Sequence, residues 1–395
     1  MSAKVVHLST SSEGGAGLAA RRLNFALNAS NFDSSYLSLT SKKYFPNKNE
    51  FELSRSFSVK LTGFLFSKFQ KRLSSKVFFS PLSKSAIDIS KFILKYPPQN
   101  TVLHIHNWFN LLSLKTISTL HSYGYKLVFT LHDERLFTGG CHYALNCLQF
   151  KQNCSSCPNV NTQYVHLIKK SFSDLSICLS KITSNYVVIA PSKWIFDRAR
   201  SSTILSTSNL VHIPNSLGNF GNEIHIGDRS TSEYRLVLGV ASYEPSSYLK
   251  YGDFIEKLMK DDEINKNFEI VFLKNYRDTK IFWRKIDFLI VFSRADNSPN
   301  VVHEAKRIGV PIIASNVGGI AELLTPEYDI VIDMDDISTI KIIDLKPEMF
   351  KRLKDKRTQT IARARFDTYV YNSVIDHIKV YNNLLKGLGT IPGPK

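Results

Sequence analysis

The sequence predicts an α/β protein of two Rossmann-like domains facing across a cleft, with the second domain shortened. Three observations predict it. Short apolar runs alternate with stretches of helical periodicity in both halves of the 395 residues, the pattern of strands and helices in layered α/β folds. A Gly-, Asn- and Ser-rich stretch at 217–233 separates the halves. Polar loops follow several of the apolar runs, where open parallel sheets bind ligands. The reading sets 1–216 as the first domain, 217–233 as a linker and 234–368 as the second domain. Residues 369–395 are a helix and tail crossing back to the first domain.

The elements follow in order. Val5 to Leu8 is a strand, and Ser9 to Gly17 is a Gly-rich loop. Leu18 to Leu27 is a helix with apolar residues at Leu18, Ala19, Leu23, Ala26 and Leu27, one face of a 3.6-residue period. Val102 to His106 and Tyr125 to Leu131 are strands, and Val187 to Ala190 leads into Pro191-Ser192 at a helix start. Val211 to Asn215 closes the first half, and Arg235 to Val240 opens the second. Asp287 to Phe292 is a buried strand by its continuous apolar run. Ser293 to Asn300 is a polar loop. Val301 to Ile308 is a short helix stopped by Gly309-Val310-Pro311. Ile312 to Ala314 is the next strand, and Gly318-Gly319 a second loop. A helix N-terminus behind a polar loop is a ready anion site, so 286–324 reads as a nucleotide or sugar-phosphate site.

Composition narrows the class. Hydrophobic content of 43% with 12% aromatics supports sizeable cores and excludes disorder. The chain has no run of 18 apolar residues, so no membrane span is expected. The N-terminus lacks the long apolar region of a signal peptide. The expectation is a cytoplasmic protein, with peripheral contact at the inner membrane as a further reading. Net charge is +17, and residues 1–100 hold 15 Lys/Arg against 5 Asp/Glu. That asymmetry predicts an anionic surface as partner. No helix-turn-helix, zinc-finger pair or RNA-binding signature accompanies it, so specific nucleic-acid recognition is not expected.

The motifs then form a series. It begins with Gly14-Gly15-Ala16-Gly17 and Arg21, followed by His104-Ile105-His106-Asn107 and Thr130-Leu131-His132-Asp133. Phe137 to Tyr143, Pro191-Ser192-x-Trp194 and Ile213-Pro214-Asn215 come next. The series ends with Asp296-x7-Glu304, Gly309-x-Pro311 and Gly318-Gly319-x2-Glu322. In combination it resembles the family 4 glycosyltransferases, of GT-B fold, in the branch that builds bacterial surface and exopolysaccharides. Three departures stand out. Asp296 replaces the usual first Glu, one methylene longer. Pro245 stands where the family carries an Arg five residues before Lys250, and one strand–helix unit is missing between Leu273 and Ile281.

The resemblance implies a nucleotide-sugar donor (UDP- or GDP-sugar) and transfer with retention, without a catalytic metal or protein general base. Glu304 would grip the ribose hydroxyls through two oxygens, and Asp296 the hydroxyls of the donor sugar. Gly15, Gly17, Lys250, Asn297, Pro299, Asn300 and Val301 would complete the donor site. Helix N–H groups and a Lys can stabilise a leaving diphosphate. His132 would lie near the transferred sugar, giving a catalytic set of His132, Asp296 and Glu304. His104, His106, Asn107 and Asp133 would line the acceptor side. Bland alternatives stand beside these. Lys250 also reads as a solvated surface residue, His132 as a strand-end cap, and His104, His106 and Asn107 as structural.

Two features lie outside this series. Cys141-x5-Cys147-x6-Cys154-x2-Cys157 puts four of five cysteines in 17 residues. In a cytoplasmic chain this reads as a structural four-thiolate zinc knot bracing the loop 139–159, or as reduced thiols in a packed loop. Cys178 reads as a small core residue. Phe57, Leu61, Leu65, Phe69 and Leu73 recur every four residues among Lys60, Lys68, Lys71, Arg72 and Lys76. They form a basic amphipathic helix that packs on the sheet or lies on an anionic membrane. The expected activity is sugar transfer to a saccharide acceptor, in one form lipid-linked. The alternatives are a sugar-nucleotide epimerase and a non-catalytic saccharide-binding scaffold.

Overall fold

The structure is a computed structural model. It describes residues 3–40, 49–53, 61, 64–65, 68–70, 72–74, 78–80, 85–182, 186–221, 224, 235–241, 247–276, 278–333 and 341–388. The chain forms two compact units. One holds Met1–Gly218 with Asn372–Lys395, the other Asn219–Tyr371.

The first unit is a seven-stranded sheet in the order β3-β2-β1-β4-β5-β6-β7. Its strands are β1 (Lys4–Ser11), β2 (Asp33–Thr40), β3 (Glu50–Glu52), β4 (Thr101–Asn107), β5 (Lys126–Thr130), β6 (Tyr186–Ala190) and β7 (Leu210–His212). Every pairing is parallel. The helices between them are α1 (Gly14–Ala29), α2 (Ile89–Lys95), α3 (Leu114–Ser122), α4 (Val165–Ser180) and α5 (Lys193–Arg200). The strands bury residues on both faces, as a helix-covered parallel sheet requires. Val5, Val6, Leu8, Val102, Leu103, Ile105 and Leu127 are all fully buried. Strand order reverses between β1 and β4, so their carboxyl ends form the switch point of this sheet.

Here the expected Gly-rich loop is shorter than the sequence reading. β1 runs on to Ser11, because Ser9 and Ser11 continue the pairing with Ser38 and Thr40 of β2. α1 begins at Gly14 rather than Leu18. A Cβ on Gly17 would lie 2.2 Å from the Ser11 carbonyl oxygen. The residue is glycine so that helix and strand end can touch.

The second unit has five parallel strands in the order β12-β11-β10-β8-β9. They are β8 (Leu236–Val240), β9 (Phe268–Phe272), β10 (Phe288–Val291), β11 (Ile312–Ser315) and β12 (Ile330–Ile332). The helices are α6 (Gly252–Lys260), α7 (Asp262–Asn267), α8 (Thr279–Lys285), α9 (Asn300–Ile308), α10 (Ile320–Leu323), α11 (Lys346–Lys354) and α12 (Lys356–Tyr371). In strand order this is 2-1-3-4-5, the flavodoxin-like winding. The chain leaves β8 for the edge strand β9, then returns through α8 to β10 on the other side of β8. The shortening expected from the sequence is thus a sheet with one strand on that side of its switch point.

The last helix, α13 (Ser373–Leu385), belongs to the first unit. Val380, Tyr381 and Leu384 share a buried cluster with Val5, Leu23, Leu27, Val102 and Val128. Ser373 Oγ donates to the Pro214 carbonyl at 2.6 Å.

Of the basic stretch 57–76, residues 57–60, 62, 63, 66, 67, 71, 75 and 76 lie outside the described residues. Leu61, Phe64 and Leu65 are exposed and Leu73 is fully buried. The Lys68 ammonium sits 4.5 Å over the Phe64 ring. In the expected linker, 222, 223 and 225–233 lie outside the described residues, as does Pro245.

Candidate functional site

In the second unit the switch point falls between β8 and β10. A small cavity opens there, lined by Val240, Lys250, Ile255, Ile290, Val291, Phe292, Ser293 and Val301. Its polar edge is built by the loop after β10. Ser293 N donates to Ser315 Oγ and Ser315 Oγ donates to the Ser293 carbonyl, both at 2.8 Å. This pair locks the ends of β10 and β11 together. Lys250 Nζ donates to Ser293 Oγ at 3.2 Å and forms an ion pair with Asp296. Asp296 also accepts from the Asn297 N–H at 2.9 Å.

The Gly318-Gly319 pair explains itself here. Gly319 N donates to the Asp296 carbonyl at 3.0 Å. A Cβ on Gly318 would lie 2.0 Å from that oxygen, and Gly318 has φ +56°, a region side chains disfavour. The two glycines hold the Asp296 backbone from the β11 side.

α9 starts at Asn300 behind Pro299, with no side-chain cap. The first N–H groups of a helix lack intrahelical partners and carry the positive end of its dipole. Glu304 stands one turn in and is buried, as are Asp296, Asn297 and Asn300. The far end of α9 is clamped by a buried ion pair, Lys306 with Asp329 at 2.6 Å. Asp329 also accepts from the backbone N–H of Ile312 and Thr325. Burial pushes its carboxyl up, and Lys306 opposes that shift.

Arg294 was not singled out by the sequence. Its N–H donates to the Leu249 carbonyl at 2.9 Å. Its guanidinium lies 4.1 Å and 3.7 Å over the rings of Tyr248 and Tyr251. Arg294, Lys250 and the loop carboxylate therefore knit 248–251 to 293–296. A cation two residues before a loop carboxylate was the signal available in the sequence.

In the first unit the corresponding switch point gathers histidines. His7 of β1 pairs in register with His104 of β4, and the two-residue strand period puts His106 on the same face. His7 Nδ1 lies 2.9 Å from His106 Nε2, and His106 Nδ1 lies 2.9 Å from His132 Nε2. His104 bonds Tyr381 Oη at 2.8 Å and Thr130 Oγ1 at 2.6 Å. His7, His104, His106 and His377 are buried. Burial is the first cause that lowers His7 to about 3, and His132 and His377 to about 4. His104 and His106 fall well below their ordinary value, by burial and by neighbouring histidines. All therefore stand neutral at pH 7. His104 and His106, expected on the acceptor side, sit behind His132 rather than at the surface.

Asp133 accepts from the Arg135 N–H at 2.9 Å and pairs with His142 Nδ1 at 3.1 Å. Burial raises its carboxyl, yet His142 and Arg135 bring it below its ordinary value. Asn107 Oδ1 accepts from Arg135 Nη2 at 3.0 Å. Gly15 is exposed in the first turn of α1, while Gly17 faces Ser11. His7, His377, Tyr381 and Arg135 were missed by sequence reasoning. His7 alone left a trace, as a lone polar residue inside an apolar strand.

The four cysteines expected to hold zinc lie near one another, with Cys141, Cys154 and Cys157 each raised by burial and in part by neighbouring cysteines, but no three of their sulfurs stand within 4.8 Å of one another. All are free thiols. Among the described residues, the one set of three or more potential ligand groups with atoms within 4.8 Å of one another is His7, His104 and His106. Cys141 is tied into a bridge with Phe79. Cys141 and Cys154 are buried in the apolar core, with Cys147 and Cys157 packed against it. As placed, these residues do not fit a tetrahedral metal.

Comparison with known proteins follows the geometry. Residues 237–344, spanning the switch point of the second unit, match the family described as Glycosyl transferases group 1. The chain is a glycosyltransferase, and its second unit carries a glycosyl transferases group 1 domain. Over 318 residues it is 23% identical to the putative colanic acid biosynthesis glycosyl transferase WcaC of Escherichia coli K12, covering 72% of this chain and 76% of that one. Its fold is similar to sucrose-phosphate synthase from Thermosynechococcus elongatus, with TM-score 0.64, 14% identity and coverage of 97% and 99%. It is also similar to Anabaena HepE in complex with UDP-glucose, with TM-score 0.56, 11% identity and coverage of 98% and 100%. These likenesses define a GT-B architecture.

Proposed function

We propose that this glycosyltransferase moves a sugar from a nucleotide-sugar donor to a saccharide acceptor in the assembly of a bacterial surface polysaccharide. The observation that carries the reading is the cluster of Lys250, Ser293 and Asp296 beside the N-terminus of α9, at the switch point of the sheet. A diphosphate needs cationic and N–H donors, and this arrangement supplies both. Glu304 binds the ribose hydroxyls, Asp296 the donor sugar, and Lys250 the diphosphate, with Arg294 as the second nearby cation. His132 of the first unit is the residue that the family resemblance assigns to the transferred sugar. Transfer proceeds with retention, as in the family 4 enzymes that the motifs resemble. The likeness to a colanic acid biosynthesis transferase supports the polysaccharide, and the likeness to a UDP-glucose complex supports a UDP-sugar. The acceptor is a growing saccharide, lipid-linked in the fullest form of this reading.

The test is a thermal-shift screen of UDP- and GDP-sugars, since any ligand of the native state raises its apparent stability. The expected result is a shift with one of them. Glu304→Ala should weaken that donor by about 2 kcal/mol, the usual cost of a lost charged hydrogen bond. Undiminished affinity and transfer in Glu304→Ala would remove the donor assignment.

A further inference from the structure

We propose that His7, acting through His106, fixes which ring nitrogen of His132 carries the proton, so that His132 presents Nδ1–H as a donor to a saccharide oxygen. The proposal rests on the reading that puts His132 beside the transferred sugar.

The argument starts from a row of three imidazoles. His7 Nδ1, His106 Nε2, His106 Nδ1 and His132 Nε2 are joined in two hydrogen bonds of 2.9 Å. A neutral imidazole has one N–H and one lone pair. His106 is bonded at both nitrogens, so it must donate at one and accept at the other. The row therefore has only two polarities. In the first, His7 Nδ1–H donates to His106, and His106 Nδ1–H donates to His132 Nε2. His132 then carries its own proton on Nδ1. In the second, every donor and acceptor is exchanged, and His132 Nδ1 is a bare lone pair.

The far end of the row chooses between them. His7 Nε2 is buried without a hydrogen-bond partner. In the second polarity that nitrogen would be a buried N–H with no acceptor. In the first it is only an unused lone pair. Orphaned buried N–H groups are the rarer defect in folded proteins, so the first polarity is favoured. His104 cannot redirect the row, because Tyr381 and Thr130 occupy both its nitrogens. His132 Nδ1 has no partner among the described residues, and His132 is only partly buried. Its N–H is thus left for a ligand. His7 and His106 are positioning residues: they touch no substrate and act through His132.

The test separates the row from the reading that it serves. Histidine-labelled full-length protein is examined by nitrogen NMR, in which the two neutral tautomers give distinct signals, and His132→Gln assigns the His132 pair. Wild type should show His132 protonated on Nδ1. His7→Asn should keep that tautomer, because its amide N–H stands in for Nδ1–H. His7→Asp, whose carboxylate can only accept, should reverse the row and leave His132 protonated on Nε2, with kcat for sugar transfer reduced about ten-fold, the equivalent of one hydrogen bond, at unchanged donor KM. A proton on Nε2 in wild type, or an unchanged tautomer in His7→Asp, would overturn the proposal. If His7→Asp does not fold, the wild-type and His7→Asn spectra decide. A shifted tautomer with full transfer would leave the row standing and overturn the donor role of His132.

Discussion

Buried histidines are expected to set the acid limit of this protein. His7, His104, His106, His132, His142 and His377 all have pKa values lowered, first by burial. Of these, His132, His142 and His377 stand at about 4 against an ordinary 6.5. Between those values the unfolded chain binds protons that the folded chain refuses. Stability therefore falls as pH drops from 6.5 towards 4, by roughly 1.4 kcal/mol per pH unit for each such group. Glu134 and Asp329, raised by burial, act in the opposite sense, but they are two against six. Melting temperature should decline steeply between pH 6.5 and 4.5. A flat profile across that range would show that the cluster is hydrated or already protonated. Little of this was legible in the sequence. His104 and His106 share a face by strand period, but their depth depends on Tyr381 and His377, which arrive from nearly 280 residues away. Asp296 and Glu304 were singled out by their resemblance to a family signature, and the structure buries both, one in the loop after β10 and one in α9.

At the scale of elements, α9 is the piece the second site depends on. The sequence read it as Val301 to Ile308 stopped at Gly309, and the structure places it at Asn300–Ile308, one residue earlier at its start. Its anchor was not readable. Lys306 looks like a surface residue in a polar helix face, yet it is 2% exposed and paired with Asp329. The pair joins α9 to the segment before β12, contacts that no local pattern encodes. Lys306→Ala leaves a buried carboxylate uncompensated and should cost about 3–5 kcal/mol, measured by denaturant unfolding. A loss below 1 kcal/mol would mean that water or another cation reaches Asp329. The Gly-rich loop shows the opposite failure. Glycines at Gly14, Gly15 and Gly17 read as a break, but a helix can begin on glycines where Gly17 must approach Ser11.

For the whole molecule, the α/β alternation carried the fold class, because periodicity survives without knowledge of contacts. What it could not carry is the winding of each sheet. The orders 3-2-1-4-5-6-7 and 2-1-3-4-5 follow from which edge each crossover helix covers. The chain also begins and ends in one unit, and α13 completes its core. Truncation after Tyr371 should uncover Val5, Leu23, Val102 and Val128 and yield insoluble or readily proteolysed protein. A soluble truncate with unchanged melting would show that α13 is dispensable. The bond between Ser373 and Pro214 has a further consequence. The chain leaves the first unit near one side of that bond and re-enters at the other, so residues 219–371 are a guest spliced into a host through two adjoining seams. The host needs only a short bridge to close over the gap. Evolution, or an engineer, can therefore exchange the guest as a cassette without unpicking one strand of the host.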